Sequence, residues 1–99
     1  MNLSHLNIID LSTVLAGPSV ATFFAELGAN VTKIENTSNK DITRTWKTEK
    51  EDKKTKTSAY FSSVNYKKKY LSLNLQNNID YKKFEEPVSY THLTLPTKA

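Results

Sequence analysis

Gly17 and Glu35 are the residues whose types and spacing come nearest to a recognisable ligand chemistry. They lie within 8–35, IIDLSTVLAGPSVATFFAELGANVTKIE, which reads as strand, turn, helix, strand. Their separation is close to the ~20 residues between the glycine turn and the ribose-binding acid of a dinucleotide site. In such a site, a helix N-terminus offers unpaired N–H groups to phosphate while the acid accepts from a ribose hydroxyl. The turn argues against a nicotinamide dinucleotide. It reads AGPSVA rather than GxGxxG, and Pro18 removes one amide from the phosphate-facing end.

Other chemistries find little support. The chain contains no cysteine, which excludes disulfides and thiolate zinc sites. His5 precedes the first strand and His92 lies near the C-terminus, and neither has a second ligand at metal-binding spacing, so no metal site is expected. Ser12, Ser19, Ser62 and Ser63 have no evident partner base. Glu85 and Glu86 are sequential and would point to different sides of a helix, a poor general acid–base pair.

The formal charge of +4 rests on lysine, with Arg44 as the only arginine. Lys53, Lys54, Lys56 and Lys67, Lys68, Lys69 stand among Tyr60, Phe61, Tyr66 and Tyr70, the composition of a single-strand nucleic-acid groove. Glu49, Glu51 and Asp52 dilute that field, and the scarcity of arginine weakens it further. A solvated surface is the simpler reading, and a small polyanion-binding module is the alternative.

The positioning elements follow from the pattern. Residues 8–11 and 31–34 read as adjacent parallel strands joined by a right-handed crossover. Gly17 is expected to cap the intervening helix with Pro18 at its first position, and Gly28 to end it. A turn-rich loop at 36–41 leads to Trp46, the only tryptophan, and 47–57 reads as an exposed charged loop. Order returns at 58–65, a half-buried strand at 70–75 follows, and an amphipathic helix at 79–86 starts after an Asn77-Asn78 cap. Residues 87–99 carry no acid, no helical period and two prolines, so the domain is expected to cover 1–86, with 87–99 a non-native or disordered tail. Two or three strands and two short helices would leave one sheet face and both edges uncovered. No apolar stretch approaches the ~18 residues of a membrane span, and the N-terminus lacks the pattern of a secretory signal, so a cytoplasmic protein is expected.

Taken together, LNIIDLSTVLAGPSVATFFAELGANVTKIE, DITRTW and SAYFSSVNYKKKYLSLNL, in unbroken order over about 6–86, resemble the N-terminus of the class III CoA-transferases. That group includes formyl-CoA and crotonobetainyl/carnitine CoA-transferases, with α-methylacyl-CoA racemases as relatives. The resemblance implies an α/β fold: the Rossmann-like, parallel β-α-β N-terminal portion of a large domain, here incomplete. It also implies an interlocked homodimer and transfer of CoA between carboxylic acids through an aspartyl anhydride and an enzyme thioester. Acyl-CoA and carboxylic acids would be the partners, with coenzyme A a substrate rather than a cofactor. The matching CoA-contacting positions are Leu15, Ala16, Asn36, Leu73, Asn74, Leu75 and Gln76. Leu15 stands where some transferases have glutamine, Asn36 where a basic residue often follows the strand, and Gln76 where lysine can occur. Lys68 and Lys69 match a basic pair that could attract anions. The nucleophilic aspartate is expected beyond residue 99, and none of Asp10, Asp41, Asp52 or Asp80 replaces it.

Overall fold

The structure, a computed structural model, describes residues 2–96. Four strands, β1 (Asn7–Asp10), β2 (Asn30–Asn36), β3 (Lys69–Leu73) and β4 (Leu93–Leu95), form one parallel sheet in the order β3-β2-β1-β4. Helix α1 (Ala16–Glu26) links β1 to β2. A 3-10 turn (Ile42–Thr45) and α2 (Ala59–Val64) lie between β2 and β3, and α3 (Asn78–Val88) links β3 to β4. This is the order of the first four strands of a doubly wound α/β sheet. The mixed α/β class and the parallel β-α-β are as the sequence predicts.

Alternation along β1 splits the core in two, because successive side chains point to opposite faces. Ile8 joins Val31 under Ala21, Ala25 and Ala29, whose small side chains let α1 approach closely. Ile9, Ile34 and Leu73 face the other way, with Leu11, Leu75 and Phe84 packed against them. Each face therefore carries a helix, where the sequence suggests one bare face; β3 and β4 are the edges of the sheet among the described residues.

The start of α1 differs from expectation. Leu15 occupies the cap position, without a side-chain cap, and helical residues begin at Ala16. Gly17 serves a different need: a Cβ there would overlap the Cβ and Oγ of Ser12, so only glycine lets the helix cross the end of β1. Pro18 still falls in the first turn, where its missing N–H breaks no helical bond. Gly28, at φ +100°, ends the helix as predicted.

Residues 47–57 are exposed turns that hold themselves together. Lys47 Nζ donates to the carbonyls of Asp52 and Thr55, at 2.7 and 2.6 Å, and the Glu51 carboxylate accepts from the amides of Thr48 and Ala59. At the other end, α3 continues through Pro87 to Val88, and Leu93–Leu95 pairs with β1. His92 N donates to the Asn7 carbonyl and Asn7 N donates to His92 Nδ1, at 2.8 and 3.0 Å. The part of the expected tail up to residue 96 is thus placed in the fold; its last three residues lie outside the described ones.

Candidate functional site

The C-terminal ends of β1, β2 and β3 enclose a cleft of about 450 Å³. Leu11 and Thr13 enter it from the β1–α1 turn, Ile34 and Asn36 from β2, and Leu73 from the end of β3. Leu75 and Gln76 come from the turn that follows. Parallel strands deliver all their C-terminal ends to one edge, which is why such sheets bind ligands there. Of the residues expected at a ligand, Asn36, Leu73, Leu75 and Gln76 meet in this cleft. Asn74 sits in the same turn, but its Oδ1 accepts from the Gln76 amide and its own N–H donates to Asp80 Oδ2. Leu15, half exposed, and Ala16 stand at the start of α1, outside the cleft lining.

The cleft rests on a set of buried ions, two of which, Glu35 and Asp41, line it. Lys33 and Asp41, both with fully buried side chains, pair at 3.0 Å, and Lys33 Nζ also donates to the Ser12 carbonyl at 2.9 Å. Asp41 accepts in addition from the amide and hydroxyl of Thr43. Glu35 receives Arg44 through Nε at 2.9 Å and Nη2 at 2.6 Å, and its Oε2 accepts from the Asp41 amide. The Arg44 guanidinium lies 3.8 Å from the centroid of the Phe61 ring. Burial by itself raises Glu35 and Asp41. For Glu35 the Arg44 bonds and the Asp41 amide outweigh it, and for Asp41 the Thr43 and Lys33 bonds do, so both stay below the usual carboxylate range.

These contacts correct the spacing argument made from Gly17 and Glu35. With Arg44 and an amide on its oxygens, Glu35 is a brace for the loop after β2, not an acceptor free for a ribose. Lys68 is also redirected. It is buried against Asp10 at 2.9 Å, the Pro18 carbonyl at 2.9 Å and Asn65 Oδ1 at 2.7 Å, so it does not attract anions from solution. Burial pulls its pKa below the ordinary lysine value despite Asp10. Its neighbour Lys69 is exposed. Asp10 receives the Ser12 amide and hydroxyl as well as Lys68, so neither Asp10 nor Asp41 is available as a nucleophile. Among the described residues no three His, Cys, Asp or Glu side chains gather as a metal site, and no helix is long and apolar enough to cross a membrane.

A left-handed residue, Val14 at φ 72°, marks the β1–α1 turn, with its amide directed at Asp41. No local signal in LSTVLAG foretells a β-branched residue in that region, and only the fold shows it.

The model of CoA-transferase family III matches residues 3–88. An acetyl-CoA:oxalate CoA-transferase of Acetobacter aceti is 41% identical over 83 residues, 84% of this chain and 20% of that protein. The human succinyl-CoA:glutarate CoA-transferase is 38% identical over 80 residues, 76% of this chain and 16% of that protein. A crystal structure of a CAIB/BAIF family protein from Brucella suis superposes with a TM-score of 0.76 at 27% identity, covering 95% of this chain and 25% of that one. The chain thus spans about a fifth or less of the curated relatives it matches. By the extent of the family match and the agreement of the sheet, the chain belongs to CoA-transferase family III.

Proposed function

We propose that the cleft at the ends of β1, β2 and β3 is one wall of a coenzyme A cradle. The complete protein would then transfer CoA between carboxylic acids. The meeting of Asn36, from the end of β2, with Leu73, Leu75 and Gln76, from the end of β3 and its turn, in one cleft supports this reading, since the two segments are distant in sequence and are joined only by the sheet. Leu15, Ala16 and Asn74 flank it and would contact CoA from the rim. Leu11, Ile34, Leu73 and Leu75 offer apolar surface to a pantetheine arm, and Asn36 and Gln76 offer amides to its polar groups.

Transfer needs a nucleophilic aspartate, placed by this reading beyond residue 99 and used through an anhydride and a thioester. The chain by itself therefore holds CoA without catalysing exchange. The complete protein is read as a cytoplasmic, interlocked homodimer acting on acyl-CoA and carboxylic acids.

Calorimetric titration of the 99-residue chain with CoA tests the cradle. The expected result is saturable binding that Leu75→Asp abolishes, with no thioester exchange between acetyl-CoA and added carboxylic acids. Absence of CoA binding overturns the cradle, and exchange by the chain alone overturns the placement of the nucleophile.

A further inference from the structure

A second cleft, of about 540 Å³, lies between the Ile42–Thr45 turn and the exposed turns that follow it. Its charged lining is one-sided: Lys40, Arg44, Lys47, Lys53 and Lys56 face a single carboxylate, Asp41. That carboxylate is already matched by buried Lys33, and Arg44 by Glu35. The other four cations are in no salt bridge among the described residues. Two of the four ammonium groups are also fixed in place. Lys47 Nζ donates to the Asp52 carbonyl and to both oxygens of Thr55, and Lys53 Nζ donates to the Thr48 carbonyl. Carbonyl oxygens hold an ammonium without cancelling its charge. The acids of the same segment, Glu49, Glu51 and Asp52, stand outside the cleft lining: Glu51 caps the amides of Thr48 and Ala59, and Asp52 Oδ1 accepts from the Lys54 amide. Ile42, 52% exposed, adds an apolar patch to the same lining.

We propose that this cleft binds a small molecule carrying two or more oxyanion charges on a short body, with Lys40 and Lys56 as its direct cationic partners. Lys47 and Lys53 supply a fixed field that lowers the ordering needed on binding, and Ile42 receives the aliphatic part. Both carboxylate and phosphate present this chemistry. Asn39 and Asp41 line both clefts, so the occupant sits beside the CoA wall without sharing its apolar lining. The site stands whether or not the CoA reading holds.

Trp46 reports on it, being the only tryptophan, sited between Thr45 and Lys47 of the lining and packed edge-on against Tyr60 at 5.1 Å. The test is a fluorescence titration of the full chain with glutarate and, separately, with inorganic pyrophosphate at low ionic strength. At least one is expected to give a saturable change. Because exposed charges are screened within ~10 Å at 0.1 M salt, affinity should fall several-fold on adding salt. The double variant K40M/K56M should weaken it about tenfold, the scale of losing one or two charge-assisted contacts. K82M/K83M removes the same charge from exposed positions of α3 and should leave it unchanged. Which probe binds distinguishes carboxylate from phosphate as the source. No saturable response to either probe, or equal weakening by both double variants, overturns the site. A parent chain that binds glutarate or pyrophosphate but not CoA retains this site while losing the cradle.

Discussion

The Asp41 carboxylate meets the amide of Val14 at 3.3 Å from Oδ1 and 3.4 Å from Oδ2, and Val14 is a β-branched residue at φ 72°. A non-glycine residue in the left-handed region is strained by ~1–3 kcal/mol and persists only where its surroundings over-determine it. Here they do. The same carboxylate pairs with buried Lys33, and Lys33 in turn holds the Ser12 carbonyl two residues before Val14. Asp41 thus ties the β1–α1 turn to the loop after β2, the two segments that flank the cleft.

Val14→Gly removes the strain along with a half-buried side chain. The expected outcome is an unfolding free energy equal to or above the parent's in urea titration, since relief of ~1–3 kcal/mol offsets the lost packing and the glycine entropy. A loss above about 1 kcal/mol would show the turn to be unstrained.

Asp10 and Lys68 form a buried pair, with both side chains fully buried. Removing one partner leaves an uncompensated charge and should cost about 3–5 kcal/mol, so Asp10→Leu and Lys68→Met are each expected to be severely destabilised. The double variant should be less destabilised than the sum of the two. A double-mutant cycle showing plain additivity would mean the pair does not couple.

Acid sensitivity follows from Glu35 and Asp41. Both have folded-state values below the unfolded ones, so their stabilisation is complete above the ordinary carboxylate range near pH ~4. It is lost as pH falls through their depressed folded values, because the unfolded chain takes up protons first. The urea midpoint should therefore drop between about pH 5 and pH 3, and the drop should be shallower in E35Q/D41N. Parallel profiles for parent and variant would contradict this.

Gly17→Ala should destabilise by about 1–3 kcal/mol, because the added methyl overlaps the Ser12 side chain at a crossing of packed backbone. Adding Ser12→Gly opens that space and should recover part of the loss. A Gly17→Ala chain as stable as the parent, by denaturant titration, would show that the helix can shift away.

Gln76 is exposed on the cleft rim. Gln76→Lys is expected to tighten CoA binding several-fold through a charge-assisted contact, with the gain reduced by salt. Titration calorimetry at two ionic strengths measures it, and unchanged affinity would remove Gln76 from the cradle.

Sequence alone determined the β-α-β frame of this protein, because apolar period, Gly28 and the short connections are local signals that leave parallel pairing as the one compact solution. The family resemblance singled out Leu15, Ala16, Asn36, Leu73, Asn74, Leu75 and Gln76, and the parallel sheet brings Asn36, Leu73, Leu75 and Gln76 to one edge while the other three stay outside the cleft lining. Tertiary structure decided what the ions do. Asp10 meets Lys68, and Lys33 meets Asp41, across distances in sequence that no periodicity encodes, and Glu35 became a brace only once Arg44 folded over it. The same holds for β4: Leu93–Leu95 is too short to read as a strand until the open edge of β1 supplies its hydrogen bonds. Local propensity specifies elements, whereas burial of charge is settled by which partner the assembled sheet brings within reach.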